Sequence, residues 1–304
     1  MEVAMAIEEQ FVIMFVFVLI GYMFFHRGLI TQEGSRSLAN LLVFLALPSI
    51  VVNSFSVEFT SKRCMALLLG AVLTVVALGI AVGVAKRLRF KNEIDHFAAV
   101  FSNPGFFGVP LIAAVCGADS VFYIAVYIAF LNILQWTYGI AVLKKEKMDI
   151  DIKKICLSPF VISLLAGLIL FFGKIQLPSI LDDIIRTSAS INMPLAMIVT
   201  GIYLAQTDIK NMLLRWSVYK VSFVRLAVIP VVVAAMLSFV PDTYRELKLC
   251  ILIAAACPVG TNVAVYSQIE NCDYTYAVQT VVMSTLLSVV SLPIIVGLAQ
   301  IIWR

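Results

Sequence analysis

The stretches FSNPGFFGVP at residues 101–110 and ACPVGTN at residues 256–262 decide the fold of this chain. Each places proline, glycine and asparagine together in the middle of a long apolar run. Proline removes a backbone donor and clashes with the preceding helical turn, and glycine permits backbone angles that other residues resist. The two stretches therefore predict two interrupted helices. In hydrocarbon each freed backbone group costs several kcal/mol unless it is satisfied, so the interruptions should face the protein interior.

The composition of the whole chain indicates a membrane protein. Its 304 residues are 62% hydrophobic and 13% charged, with a mean hydropathy of +1.03, whereas soluble domains carry about 25% charged residues. This excludes a soluble globular enzyme, a disordered chain and a nucleic-acid-binding protein. The six cysteines form no CxxC motif and the two histidines are isolated, so no cofactor and no metal site are expected. No pair of reactive groups lies within the apolar runs, which predicts that the protein is not an enzyme.

Ten apolar runs are candidates for membrane spans, since a spanning helix needs about 20 mostly apolar residues. They cover roughly residues 10–26, 37–56, 64–85, 96–116, 119–143, 157–173, 180–206, 215–240, 246–268 and 274–303. The first run is not a cleavable signal, because it follows Glu2, Glu8 and Glu9 rather than a basic segment. Gly79 and Gly83 in the third run are expected to allow close helix packing.

The basic residues of the loops indicate that both termini lie outside. With that orientation the inside loops hold 13 Lys and Arg residues and the outside segments hold seven, in line with the positive-inside rule. The inside set is Arg27, Arg36, Lys86, Arg87, Arg89, Lys91, Lys144, Lys145, Lys147, Lys153, Lys154, Lys210 and Arg215. The outside set is Lys62, Arg63, Lys174, Arg186, Arg245, Lys248 and Arg304. The prediction is a multi-pass cell membrane protein with its N-terminus and C-terminus outside.

Five of the ten runs precede the basic loop and five follow it, which predicts an internal repeat. An odd number of spans in each half requires the halves to have opposite orientations, as in many secondary carriers. The predicted organisation is a first five-helix repeat at residues 1–143, a short cytoplasmic linker at 144–156 and a second, inverted five-helix repeat at 157–304. The fold class is an all-α polytopic membrane protein in which the interrupted helices 4 and 9 cross each other.

Two interrupted helices that cross near the midplane form a predicted binding site for an anion. The N-termini of the half-helices bring partial positive charge and free N–H groups to one point. The site is predicted at Asn103, Pro104, Gly105, Pro258, Thr261 and Asn262. Arg225 is the deeply placed cation of the apolar runs. Two roles stay open for it, as a counter-charge for the substrate or as a structural residue.

These residues carry a resemblance to the auxin efflux carrier family, which includes short bacterial members often called malate or malonate permeases. The run from Asn103 to Leu111 resembles the family motif N-x-G-F-x-G-[IV]-P-L of helix 4. The family pattern of helices 9 and 10 is matched by residues 257–268, Asp273, 284–288 and 292–293. The resemblance covers nearly the whole chain.

The resemblance implies a ten-helix fold like that of the bile-acid sodium symporters, with a scaffold domain and a transport domain. It also implies the carriage of a carboxylated anion. By motif match, Asn103 and Pro258 are crossover residues. Asn53 and Asn132 are similar to family positions in helices 2 and 5, which adds both to the predicted substrate-binding residues. Asn132 has the alternative role of a hydrogen-bonding residue between helices.

The function predicted from the sequence is secondary active transport of small organic anions by alternating access. Auxin-like or malate- and malonate-like carboxylates are the expected substrates. The expected partners are this anion and the lipid bilayer, and a homodimer is left open. A sodium-coupled bile-acid-type symporter is the first alternative, although no Asp or Glu lies within either interrupted motif to bind sodium. A membrane-embedded enzyme is the second alternative.

Overall fold

The computed structural model describes residues 2–146 and 152–303, and the secondary structure of these residues is helical apart from one isolated β-bridge. Lys147, Arg304 and part of the predicted linker at 144–156 lie outside the described residues. Before the linker the α-helices are α1 Glu2–His26, α2 Gln32–Leu41, α3 Leu47–Ser54, α4 Ser61–Leu88, α5 Glu93–Val100, α6 Val109–Cys116, α7 Phe122–Leu134 and α8 Ile140–Lys144. From the linker onward they are α9 Ile152–Cys156, α10 Pro159–Gly173, α11 Ser179–Ser190, α12 Asn192–Ala205, α13 Ile209–Leu214, α14 Trp216–Phe223, α15 Ile229–Leu237, α16 Arg245–Ala256, α17 Asn262–Ile269 and α18 Tyr274–Ile302.

The apolar runs of the sequence are helical over most of their length, because a backbone in hydrocarbon must satisfy its own polar groups. Within the described residues, seven helical stretches are long and apolar enough to cross a membrane. They are Met5–His26, Gln32–Ser54, Ser61–Leu88, Ala118–Lys144, Ser179–Ala205, Trp216–Leu237 and Tyr274–Ile302. Two shorter apolar helices cover Pro104–Cys116 and Pro159–Gly173, and the run at 246–268 is divided between α16 and α17. The protein is therefore a polytopic all-α protein, and the count of ten spans stays a prediction.

Polar residues fix where several of the helices begin. The side chain of Thr60, ahead of α4, accepts a hydrogen bond from the N–H of Arg63 (3.1 Å). The side chain of Asn92, ahead of α5, accepts one from the N–H of Ile94 (2.8 Å). Each bond satisfies a backbone donor that has no partner inside its own helix. These helix starts are consequently encoded by local sequence.

Helix α1 packs along α12 with their backbones in direct contact. A β-carbon built on Gly201 would lie 2.0 Å from the carbonyl oxygen of Val18, and one built on Gly21 would lie 2.1 Å from the carbonyl oxygen of Ile198. No side chain fits at such distances. The two helices can therefore lie this close only because glycine occupies both positions.

The glycines of α4 do not have the packing role that the sequence predicted for them. Gly79 and Gly83 are exposed, and nothing lies within 4 Å of a β-carbon built on either residue. The prediction was wrong because a small residue in an apolar helix does not show which face of that helix meets another helix.

The helices before and after the linker pack in matching pairs. α1, before the linker, lies along α12, which ends the helical stretch Ser179–Ala205 after the linker. Conversely, α10, after the linker, lies against α3, which ends the stretch Gln32–Ser54 before it. In the same way, α5 contacts α4 and α14, while α16 contacts α15 and α4. Two similar halves that face in opposite directions would exchange contacts in this manner.

Candidate functional site

The two interrupted helices meet at their interruptions. The chain is non-helical at residues 101–103 and 257–261, where the sequence predicted that the helices break. Ser102 and Val259 form an antiparallel β-bridge there. Pro104 begins the next helical segment instead of standing in the interruption, because the first residue of a helix does not need its N–H.

Backbone hydrogen bonds join the two interruptions. The N–H of Asn103 donates to the carbonyl of Pro258 (3.0 Å), and the N–H of Gly260 donates to the carbonyl of Phe101 (2.9 Å). Unpaired groups at this depth would be costly. Each interruption thus satisfies polar groups that the other one frees, and neither could exist alone at the same cost.

Helix α18 and the absence of a side chain at Gly260 complete the crossing. The N–H of Val259 donates to Ser284 Oγ (3.0 Å), and that hydroxyl donates to the carbonyl of Val281 (2.9 Å). A β-carbon built on Gly260 would lie 2.9 Å from the carbonyl oxygen of Ser102. Glycine is needed at this position for the two segments to approach each other.

A small cavity lies at the crossing, and six of the nine predicted site residues line it. Its volume is about 20 Å³, which is room for one water molecule. The predicted residues in the lining are Asn103, Pro104, Gly105, Asn132, Thr261 and Asn262. The other lining residues are Leu47, Ser102, Phe106, Ile128, Leu131, Gln135 and Gly260. None of these side chains is charged, so the lining is neutral and combines amide and hydroxyl groups with apolar side chains.

Three predicted site residues do not line this cavity. Pro258 takes part in the crossing through its carbonyl group. Asn53 lies near the end of α3, more than one turn beyond the lining residue Leu47. Arg225 contacts the helix ends that stop at the crossing. The structure therefore brings together the two motifs and Asn132, and it separates Asn53 from them.

The lining contains polar side-chain groups that are not used in hydrogen bonds. Asn262 Nδ2 donates to Gln135 Oε1 (2.8 Å), and Asn132 Nδ2 donates to the carbonyl of Ile128 (2.7 Å). Gln135 Nε2 and Asn132 Oδ1 are buried and have no partner among the described residues. Buried polar groups are normally paired. These atoms are therefore available to a ligand that enters the cavity.

Two helices begin at the cavity, one covering Pro104–Cys116 and the other being α17. The backbone N–H groups of Gly105, Thr261 and Asn262 have no hydrogen-bond partner within the described part of the chain. A helix N-terminus carries a partial positive charge of roughly half an elementary charge. The two N-termini together make this cavity favourable for negative charge.

The helices around the crossing are widened by π-turns. In the described ranges these turns cover Leu42–Ala46, Pro104–Gly108, Gln135–Gly139 and Val224–Val228. The second and third contribute lining residues, and the first immediately precedes Leu47, which also lines the cavity. π-turns are rare and occur frequently at functional sites. Their grouping marks the crossing as the candidate site independently of the motifs.

Asn192 is a site residue that the sequence analysis did not identify. It begins α12, is buried, and donates a hydrogen bond from Nδ2 to the carbonyl of Gly105 (3.1 Å). Its Oδ1 has no partner among the described residues. Asn192 thereby links α12 to the interrupted helix. The available signal was an asparagine two residues before Pro194 in an apolar run, a pattern that also occurs where no site is formed.

Arg225 is buried, with 1% of its surface exposed. Its Nη1 donates to the carbonyls of Ala99 (3.1 Å) and Val100 (3.0 Å), and its Nη2 donates to the carbonyl of Ala255. Ala99 and Val100 close α5, and Ala255 is next to the last residue of α16. The guanidinium group thus binds the C-terminal ends of both helices that stop at the crossing.

A larger cavity of about 430 Å³ opens between α2, α12, α17 and α18. This size is within the range of small-molecule sites. Arg36 is the charged residue of its lining, which also includes Tyr203, Gln206, Gln268 and Tyr274. The hydroxyl of Tyr274 donates to Gln206 Oε1 (3.3 Å). The cavity combines one cation with several polar groups and contains no acidic side chain among its lining residues.

Comparisons with known proteins match the chain to membrane transporters. Residues 6–296 match the family described as "Membrane transport protein". The chain is 25% identical over 273 residues to a Rhizobium meliloti (strain 1021) protein named "Putative malonate transporter", covering 84% of each chain. It is 24% identical over 302 residues to an "Uncharacterized transporter" of Methanothermobacter thermautotrophicus, covering 95% of this chain and 97% of the relative. The chain therefore belongs to the membrane transport protein family, the auxin efflux carrier family that its two crossover motifs resemble.

Proposed function

We propose that this membrane transport protein is a secondary active transporter of small organic anions that works by alternating access. The observation that carries the proposal is the arrangement of helix ends at the crossing. Two N-termini begin at a neutral cavity, with N–H groups that have no partner among the described residues, while Arg225 binds the two C-termini. The negative ends are thus neutralised and the positive ends are left for the substrate.

A charge estimate supports an anion over a cation. Each helix end carries roughly half a unit charge, positive at the N-terminus and negative at the C-terminus. The two C-terminal ends are offset by the guanidinium of Arg225, so about one positive unit faces the cavity. An approaching cation would be repelled by these ends and would find no carboxylate among the lining residues.

The size of the cavity supports a conformational step in transport. At about 20 Å³ it cannot hold a dicarboxylate, whereas the larger cavity has about 430 Å³. Helix α17 connects the two, since Asn262 lines the first and Val265, about one turn later, lines the second. In the proposed cycle the anion enters the larger cavity near Arg36, and a relative movement of helices then opens the crossing to it.

The proposed fold has ten spans in two inverted halves, residues 1–143 and 157–304, joined by the linker at 144–156. The matching contacts of α1 with α12 and of α10 with α3 support it. So does the presence of one interrupted helix in each half. The crossing would then lie near the midplane, where inverted-repeat carriers bind their substrates.

The proposed orientation has both termini outside, and cysteine labelling tests it. In a cysteine-free background, Lys145→Cys and Leu88→Cys should react with a membrane-impermeant maleimide only after the membrane is opened. Phe239→Cys, at the opposite end in this topology and highly exposed, should react in intact cells. Labelling of positions 88 and 145 from outside would reverse the topology.

Transport in proteoliposomes tests the proposed function. Purified protein should accelerate the uptake of radiolabelled malonate and related carboxylates above the rate in protein-free liposomes. The neutral diamide of the same carbon skeleton should not be transported, because it lacks the charge that the helix N-termini attract. Malonate is the first substrate to test because of the name of the Rhizobium relative. Equal transport of acid and amide, or preference for a cation, would contradict the proposal.

Asn103→Ala and Asn262→Ala should each reduce anion uptake by about tenfold or more, the equivalent of about 1.4 kcal/mol of lost interaction. Both side chains line the cavity, and Asn262 orients the amide of Gln135. The amount of folded protein should change little, as measured by size-exclusion chromatography. Asn211→Ala, at an exposed asparagine of α13, is the matched control and should transport normally. Loss of folded protein in both cavity variants would assign the two asparagines to stability instead.

A further inference from the structure

Arg225 is a buried cation that forms no ion pair within the described part of the chain. No carboxylate lies within ion-pair distance of it among the described residues. Its guanidinium is instead surrounded by the carbonyl oxygens of Ala99, Val100 and Ala255. A buried charge is costly unless it is compensated, so the compensation must come from these backbone groups.

The compensation follows from where the carbonyls lie. They belong to the C-terminal ends of α5 and α16, where the last carbonyls of a helix have no partner inside it. Each such end carries about half a negative charge, so the two ends together carry about one. A single guanidinium matches this charge and supplies donors to both ends at once.

We propose that the guanidinium group of Arg225 permanently occupies a cation site, and we call it the resident cation. The site is formed by the backbone carbonyls of Ala99, Val100 and Ala255. Without Arg225, a monovalent cation from solution would have to fill it. Carbonyl oxygens are the ligands that hard cations such as Na⁺ prefer. Because Arg225 provides the positive charge permanently, the crossing keeps its geometry without a bound sodium ion. Arg225 is in this view a positioning residue, which holds α5 and α16 so that the N-termini beyond them face the substrate.

The local backbone is shaped for this task. Arg225 is the second residue of the π-turn Val224–Val228, and such a turn widens the helix and redirects its side chains. The side chain reaches residues that are 30 and 126 positions away in the chain. A hydrophobic residue at this position would leave three carbonyls without this donor in the protein interior, which lowers stability unless another cation binds them.

Thermal unfolding in different salts tests the resident cation without any transport measurement. The wild type and Arg225→Ala are compared in choline, sodium and guanidinium chloride at equal, tens-of-millimolar concentration. The unfolding temperature of the wild type should not depend on the cation. That of Arg225→Ala should be lower in choline and should be partly restored by guanidinium and by sodium. Arg225→Lys should keep most of the stability in choline, because it retains the charge.

Lys220→Ala is the matched control, since it removes one positive charge from the exposed face of the same helical stretch. Its unfolding temperature should not respond to the cation. The proposal is overturned if Arg225→Ala is as stable as the wild type in choline, or if it is destabilised and no cation restores it. If Arg225→Ala cannot be obtained folded, Arg225→Lys in choline decides: a folded variant with most of the wild-type stability supports the proposal, and a variant that also fails to fold overturns it.

The transport measurement rests on the proposed function. Wild-type uptake of the carboxylate should be the same in sodium and in choline, with or without a sodium gradient. Arg225→Ala should lose uptake about tenfold or more in choline and regain part of it in sodium. A requirement of the wild type for sodium would overturn the resident cation while leaving anion transport intact. Failure of the wild type to transport any anion would instead contradict the proposed function, and the unfolding comparison would still decide on Arg225.

Discussion

Gly201→Ala should lower the unfolding temperature of the protein by about 6 °C or more. The added methyl group would lie 2.0 Å from the carbonyl oxygen of Val18 and 2.8 Å from the backbone nitrogen of Tyr22. Both are backbone atoms, so neither can rotate away, and α1 must separate from α12. Overpacking costs about 1–3 kcal/mol and occasionally more, and a backbone obstacle at 2.0 Å places this substitution at the upper end. This corresponds to the expected shift at about 2 °C or more per kcal/mol. Gly21→Ala meets the same obstacle from the other helix and should behave alike.

The control is a glycine-to-alanine substitution at positions where the added methyl group contacts no other atom. Gly79→Ala and Gly83→Ala add a methyl group that meets nothing within 4 Å. Alanine is favoured over glycine in a helix by up to about 1 kcal/mol, so these variants should be as stable as the wild type or slightly more stable. The unfolding temperature of the four purified variants is measured by heating each protein and recording the loss of its monodisperse peak in size-exclusion chromatography. Wild-type stability of Gly201→Ala would mean that α1 and α12 are not in backbone contact.

Gly260→Ala should abolish most of the transport activity while the protein still folds. The backbone at this position has no positive φ, so alanine can adopt it. The obstacle is the carbonyl oxygen of Ser102, which a methyl group would approach to 2.9 Å. The two interruptions must then move apart, which lengthens the hydrogen bond from Gly260 N–H to the carbonyl of Phe101. We expect a stability loss of about 1–3 kcal/mol and a loss of uptake of about tenfold or more.

Gly297→Ala is the appropriate control for this experiment, because it lies in α18 and a β-carbon there has no neighbour within 4 Å. It should transport like the wild type. Uptake of the carboxylate in proteoliposomes is compared at equal amounts of inserted protein. Normal uptake by Gly260→Ala would show that the close approach at the crossing is not needed for transport.

Glycine illustrates what a sequence can and cannot reveal about helix packing. The pair Gly79 and Gly83 resembles a packing motif but lies on an exposed face, whereas Gly21 and Gly201 are far apart in the chain and form the contact. The difference arises because a close approach is a property of two helix surfaces. A sequence pattern within one helix describes only one of these two surfaces.

Among the polar residues of the site, too, some could be predicted from the sequence and others could not. Asn103 and Asn262 could be predicted because each belongs to a cluster that contains both proline and glycine in an apolar run, where a helix must break. Gln135 and Asn192 stand outside any such cluster, and their part in the crossing follows from hydrogen bonds to residues about 90 to 130 positions away. Asn53 was predicted by resemblance, and the structure leaves it outside the cavity lining.

Composition and local sequence by themselves determined that this is an all-α membrane protein, where its helices lie and where two of them are interrupted. These features follow from hydrocarbon solvation, from caps and from the lost donor of proline, all of which act within a few residues. The sequence predicted that the two interrupted helices cross, but only the tertiary structure decided which backbone groups pair there. It also decided that α1 and α12 touch through glycine, and that Arg225 binds the ends of α5 and α16. The reason is physical, since each of these depends on a distance between atoms that are remote in the chain.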